Sequence, residues 1–176
     1  TTIAVINVPV KIVGNGGGFG YGIMGATHHT LEDIAVMRAL PNMRVYVPLT
    51  STDVAEAVHA MAADPSPNYL RLNLPVKFDF ALPAFQPWRK IKDGKSAVMI
   101  STGPVVGNML DLEDSVDAFE IWSVGVLPIH ELPAELLAAV RAKRNVITLE
   151  EHRGQCGLNE TIARLLLQNV DRVIKF

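Results

Sequence analysis

The residues best suited to chemistry lie close together near the start of the chain. A glycine-rich run, Gly14-Asn-Gly-Gly-Gly-Phe-Gly-Tyr-Gly22, leads through Met24 and Gly25 to the pair His28-His29. Glycines let a backbone turn at positive φ and approach a ligand or partner closely. Gly20-Tyr-Gly22-Ile-Met-Gly25 also fits the dinucleotide pattern in form. That fingerprint needs its glycines at a helix start, where the helix N-terminus meets a pyrophosphate. Here Ala26-Thr-His-His29 intervenes before the next helix signal, and the strand predicted at 44–47 ends in Pro48-Leu49, without an acid to hold a ribose. A Rossmann cofactor is therefore not expected. The run reads as a loop whose backbone comes close to a ligand or partner.

Adjacent residues of an extended chain point to opposite sides, so His28 and His29 should not share one metal. No His or carboxylate follows them at helical metal-pair spacing, and no metal site is expected. Either imidazole could move a proton or donate a hydrogen bond near neutral pH, and a structural role is the alternative. Arg71 lies between Leu70 and Leu72 in a predicted strand. It either pairs with a buried acid or reaches a ligand anion at the strand's carboxyl end. Glu150-Glu151-His152 ends another strand, but successive side chains diverge, so a solvated or interface-facing turn is expected there. Cys156 has no activating pattern and reads as packing.

These residues need a scaffold, and the apolar patterning supplies an α/β one. Strands are predicted at 10–13, 44–47 and 69–72, with Pro41-Asn42, Pro48 and Pro65-Ser-Pro67 as breaks. Thr30-Leu-Glu-Asp33 resembles a capping box opening a helix with Leu31, Ile34, Met37 and Leu40. A second helix, 53–63, carries Val54, Ala57, Val58 and Met61 on one stripe. Strands separated by helices argue for a mainly parallel sheet. Residues 74–94 lose the period: prolines space out Phe78, Phe80, Phe85 and Trp88, which reads as an extended linker and domain boundary. A second α/β unit follows, with strands at 97–101, 119–123 and 146–149 and helices at 104–110, from Pro133, and along Leu158, Ile162, Leu165 and Leu166. Val173-Ile174 closes as an edge strand. The expectation is two separately packed units joined by the linker.

Composition bounds the rest. The chain has 176 residues, a formal net charge of −2 and one cysteine. A near-neutral balance without a basic run argues against nucleic acid or an anionic membrane as partner. No apolar stretch approaches the ~18–20 residues that span a bilayer. A lone cysteine precludes an internal disulfide and fits a reducing, cytoplasmic compartment. The opening Thr-Thr-Ile-Ala-Val-Ile lacks both a methionine and the charged start of a signal, so a fragment or processed chain is expected.

Gly25-Ala-Thr-His-His-Thr-Leu-Glu-Asp-Ile-Ala-Val-Met-Arg-Ala-Leu-Pro-Asn-Met-Arg-Val-Tyr-Val-Pro48 resembles the pyrimidine-binding domain of transketolase-like, thiamine-diphosphate-dependent enzymes. Tyr69-Leu-Arg-Leu72 matches that domain's arginine-bearing strand, and Glu150-Glu-His-Arg-Gly-Gln-Cys-Gly-Leu-Asn159 is similar to the family's C-terminal domain. The resemblance implies a partial pyrimidine-binding domain over 1–73, a linker over 74–94 and a transketolase C-terminal domain over 95–176. It implies transfer of a two-carbon (ketol) or acyl unit from a small sugar phosphate or 2-oxo acid, in a homo- or hetero-oligomer. The cofactor, thiamine diphosphate, would be shared with a diphosphate-binding N-terminal section or subunit that holds the Mg2+. Gly18, Gly20, Tyr21 and Gly22 would approach the cofactor, His28 would be catalytic, and Arg71 and His29 would bind substrate. The family's pyrimidine-activating glutamate and ring-stacking aromatic fall upstream of Val10, outside this sequence. Met24 and Ala26 depart from the family's acid and proline. The alternatives are a non-catalytic dimerisation or regulatory module and an oxo-acid dehydrogenase β-subunit-like fragment.

Overall fold

The computed structural model describes residues 1–110 and 116–170. In chain order the elements are α1 (Thr2–Val5), β1 (Lys11–Asn15), α2 (Asp33–Arg38), β2 (Arg44–Tyr46), α3 (Ser51–Ala63), β3 (Asn68–Leu72), β4 (Trp88–Lys92), β5 (Ala97–Thr102), α4 (Val106–Leu110), β6 (Phe119–Val124), β7 (Val126–Leu127), α5 (Ala134–Lys143), β8 (Val146–Glu150) and α6 (Leu158–Asn169). The strands form two four-stranded sheets, ordered β1-β3-β2-β7 and β4-β6-β5-β8. Within them β3 runs parallel to β1 and β2, and β5 runs parallel to β6 and β8. Only β7 and β4 pair antiparallel, each at an edge. This is the α/β architecture expected, with mainly parallel sheets flanked by helices. The predicted edge strand at Val173-Ile174 lies outside the described residues.

Local chemistry explains most of the elements. Central β5 is buried along its whole length and opens on the apolar run Ala97-Val-Met-Ile100, the pattern of a strand covered on both faces, while the Ser101 and Thr102 hydroxyls donate to the Trp122 and Val124 carbonyls. The Thr50 hydroxyl accepts the Asp53 N–H at 3.1 Å and starts α3. At α6 the cap comes from a distance: the Glu150 carboxylate accepts the N–H groups of Leu158 and Asn159 at 2.7 and 3.1 Å. The strand end thereby satisfies two of the helix's orphan donors, which burial would otherwise penalise.

Three expectations need correction. Thr30 does not cap α2, which begins at Asp33 after Glu32; instead Thr30 bridges to the glycine loop. The stretch 74–94 is not all linker, because β4 occupies its end. Its buried positions are Arg89 and Ile91, so the period-2 signal is hidden by a charged residue on the inward face. Nor do the two units pack separately. One apolar cluster joins Val45, Val47 and Tyr69 to Val98, Ile100 and Trp122. The cause is β7, which follows β6 of the second sheet and then crosses to pair with β2 of the first.

Acidic residues pin the first unit. Burial works to raise the Asp53 carboxyl, but hydrogen bonds from Arg89 and the Leu49 N–H hold it below the ordinary carboxylate value. Asp64 behaves alike: burial is outweighed by the Ser66 N–H, Asn68 and Arg44. Both groups therefore favour the folded state when ionised. In the unfolded chain an aspartate titrates near about 3.9, so this contribution is fully present above that pH. It is lost as the pH falls through the depressed folded values. Thermal melts should change little down to about pH 5 and fall below about pH 4, with a shallower acid limb in Asp64→Asn. An identical acid limb in that variant would count against Asp64 as a contributor.

Candidate functional site

The carboxyl ends of β1, β3 and β8 converge, and the glycine loop lies across them. Gly16 and Gly17 donate their N–H groups to the Leu72 carbonyl at 3.0 and 2.9 Å. Gly18 and Thr30 exchange two backbone hydrogen bonds, at 2.8 and 3.0 Å. At Gly16, φ is +87° and an added Cβ would meet the Tyr21 ring at 2.1 Å. At Gly18, φ is +67° and a Cβ would come within 2.7 Å of Glu151. Both positions need glycine for conformation and for close approach.

The loop carries the two histidines in different settings. His29 Nε2 lies 2.8 Å from the Gly22 carbonyl oxygen. A carbonyl can only accept, so Nε2 carries the proton and Nδ1 is left as an acceptor. Phe19 meets the His29 ring edge-on at 5.1 Å. His28 is exposed, with Nδ1 3.0 Å from the Thr27 hydroxyl and its ring edge-on to Tyr21 at 6.1 Å. The two imidazoles thus have different partners. Around them Phe19, Tyr21, Ile23 and Met24 are all exposed. Such a rim can cover a flat apolar ring. Among the described residues no three His, Cys, Asp or Glu side chains are grouped as a metal site.

Arg71 sits beneath the loop and is 2% exposed. Its Nε donates to both Asp33 carboxylate oxygens at 3.1 and 2.9 Å. Nη2 donates to the Thr30 and Glu151 carbonyls at 3.1 and 2.9 Å. Of the two readings of this strand arginine, the structure has the buried acid. These bonds engage Nε and Nη2. Asp33 also accepts the Tyr69 hydroxyl at 3.0 Å. Burial, then the Asp33 carboxylate, pushes the Tyr69 phenol well up, so it stays a donor.

Glu150 ends β8, and Glu151 and His152 lead out of it toward the glycine loop and α2. Glu150 caps α6. Glu151 faces the loop, accepting from Asn73 Nδ2 at 2.6 Å and from the Phe19 N–H at 3.4 Å. His152 accepts the Ala35 N–H on Nε2 at 3.2 Å and lies 2.7 Å by Nδ1 from the Arg153 carbonyl. Cys156 is exposed and does not pack, contrary to expectation. Sequence reasoning missed Asn73 altogether, and took Asp33 for a capping acid. Asp33 is paired by Arg71 of β3 and Asn73 by Glu151 after β8, partners that no local pattern reports.

A cavity of about 220 Å³ opens beside the loop, bounded by Phe19, Gly20, Asn73, Pro104, Asn108 and Glu151. A larger hollow of about 660 Å³ lies by Arg44, Trp88 and His130 and includes none of the loop residues. Glu151 and Asn73 stand in the wall of the smaller one, and neither hollow is lined by His28, His29 or Arg71.

Comparison with known proteins agrees with this architecture. Residues 2–75 match the transketolase pyrimidine binding domain. The chain is 30% identical over 173 residues to one of the subunits of apulose-4-phosphate transketolase from Phocaeicola vulgatus, covering 91% of this chain and 54% of that one. It is 27% identical over 176 residues to the 6-deoxy-6-sulfo-D-fructose transketolase subunit SqwH of a Clostridium species, covering 96% and 54%. A solved structure described as a split gene transketolase, inactive beta4 tetramer, superposes with a TM-score of 0.78 at 29% identity, covering 97% of this chain and 58% of that one. The chain thus spans about half the length of the curated relatives it matches. No helix among the described residues is long and apolar enough to cross a membrane. The chain is homologous to transketolase C-terminal-section proteins and to subunits of split transketolases, and its residues 2–75 match the transketolase pyrimidine-binding domain.

Proposed function

We propose that this chain is the pyrimidine-side part of a split, thiamine-diphosphate-dependent transketolase that works only with a diphosphate-binding section or subunit. The observation that carries the reading is the glycine loop with its apolar rim and two histidines at the carboxyl edge of a parallel sheet, where ligands of open α/β sheets gather. Thiamine diphosphate, when bound, supplies the carbanion-stabilising centre for transfer of a two-carbon unit. The chain's own residues position, cover and exchange protons. Gly18, Gly20 and Gly22 let the backbone come close, and Tyr21 with Phe19 covers an aromatic face. His28, exposed beside Tyr21, is the group that moves a proton or donates a hydrogen bond to the reacting substrate. His29 holds the loop through Gly22 and leaves Nδ1 for a substrate hydroxyl. Arg71 is the clamp under the loop. Mg2+ and the diphosphate belong to the partner section, and the substrate class is a small sugar phosphate or a 2-oxo acid. Residues 1–73 bear the site, and 95–176 buttress it.

The test is ketol transfer from a ketose-phosphate donor, with thiamine diphosphate and Mg2+. The chain should turn over only when mixed with a diphosphate-binding transketolase subunit, and not by itself. Turnover by the chain alone overturns the shared-site reading. A stable mixed assembly without turnover identifies a non-catalytic dimerisation module instead.

A further inference from the structure

We propose that Glu151, contributed by the C-terminal half, is a positioning residue that sets the conformation of the glycine loop by acting as one member of a matched pair with Asn73. The inference rests on the functional reading above only for its kinetic consequence.

Glu151 is tied on three sides. Its main-chain oxygen accepts from buried Arg71, its Oε2 accepts Asn73 Nδ2 at 2.6 Å, and its Oε1 faces the Phe19 N–H at 3.4 Å. Asn73 is fixed in turn: its Oδ1 accepts the Leu74 N–H at 2.7 Å, which leaves Nδ2 to face the acid. The loop lies against this pair. A Cβ at Gly18 would meet Glu151, and a Cβ at Gly20 would meet Asn73 Oδ1 at 2.5 Å. The loop backbone is therefore shaped by a carboxylate–amide wall whose donor and acceptor order matters. Asn73 follows β3 of the first sheet and Glu151 follows β8 of the second, so the wall also links the two units.

The donor order suggests an exchange experiment. Asn73→Asp sets two carboxylates face to face, and Glu151→Gln leaves the acid side one acceptor short. The double variant restores one donor and one acceptor at that contact, keeps an acceptor for Phe19 and for Leu74, and leaves the net charge of the pair unchanged. Amide exchange over residues 16–22 should quicken about tenfold or more in Asn73→Asp, less in Glu151→Gln, and return close to wild type in the double variant. In the assembled enzyme the donor KM should follow the same order, with kcat changing less. The Asn73→Asp defect should shrink as the pH is lowered and one carboxyl takes a proton. Additive single effects in the double variant, or loop exchange that none of the three changes, would overturn the proposal. If the wild-type assembly has no thiamine-diphosphate-dependent turnover, the functional reading fails, and the exchange measurements still decide the role of Glu151.

Discussion

Asp53→Ala is expected to destabilise the folded chain by about 3–5 kcal/mol, read from urea unfolding followed by circular dichroism. Arg89 is the reason. It is 1% exposed and among the largest wholly buried side chains, yet it carries a full charge on β4. Its Nη1 and Nη2 donate to the two Asp53 oxygens at 2.9 and 2.5 Å, and Nη1 also reaches the Pro83 carbonyl. The guanidinium lies over the Phe85 ring at 5.6 Å, while Nε has no partner among the described residues. Removing Asp53 would strand a buried cation that already has one unsatisfied nitrogen, and desolvation without compensation is what makes such changes severe. Adding Arg89→Leu to Asp53→Ala should recover most of the loss, because an apolar replacement of a whole buried pair is often close to neutral. If the double variant is no more stable than Asp53→Ala, the penalty does not come from the unpaired charge. The exposed pair Lys90–Glu135 offers the contrast: solvent screens it, and Glu135→Ala should change little.

The same Arg89 shows where the sequence stops being legible. A strand that opens on an apolar run, such as β5, and a helix with a clear stripe, such as α6, announce themselves because most of their buried positions are hydrophobic. In β4 the inward residues are an arginine and an isoleucine, so a real strand reads as polar linker. The arginine is admissible there because Asp53, 36 residues earlier, reaches it across the two units. Thr30 fails for a related reason. Its sequence context suits a cap, but two backbone bonds to Gly18 outweigh the cap and delay α2 to Asp33. In the site, the glycine run, His28 and His29 could be found locally, since their types and spacing are unusual in themselves. Asn73, Asp33 and the loop-facing role of Glu151 could not, because each is defined by a partner brought in from another strand. The crossing of β7 between the sheets is of the same kind: two residues long, it carries too little sequence to mark the join.

His28→Ala is expected to lower turnover of the assembled enzyme by about 10²–10³-fold, and His29→Ala by about tenfold or less. The difference follows from what each imidazole does in the loop. His29 donates Nε2–H to the Gly22 carbonyl and takes the edge of Phe19, so its loss removes one exposed hydrogen bond and some packing. Such a bond contributes about 0.5–1.5 kcal/mol, which sets the scale of a tenfold effect. Among the described residues His28 shows no comparable tie to another part of the fold: it is exposed, its Nδ1 lies 3.0 Å from the neighbouring Thr27 hydroxyl and its ring meets Tyr21 edge-on. An imidazole left free on a loop at the carboxyl edge of the sheet is available to the reacting substrate, and a group used in the transition state costs far more to remove. The measurement is kcat at saturating thiamine diphosphate for the two variants, with melting temperatures to separate folding from chemistry. His29→Ala should shift loop amide exchange with modest loss of rate, whereas His28→Ala should lose rate with the loop unchanged. If His29→Ala is the more damaging change, or His28→Ala leaves turnover untouched, the free imidazole is not the reacting one. The proton-transfer role would then pass to His29 Nδ1, the acceptor its tautomer leaves open.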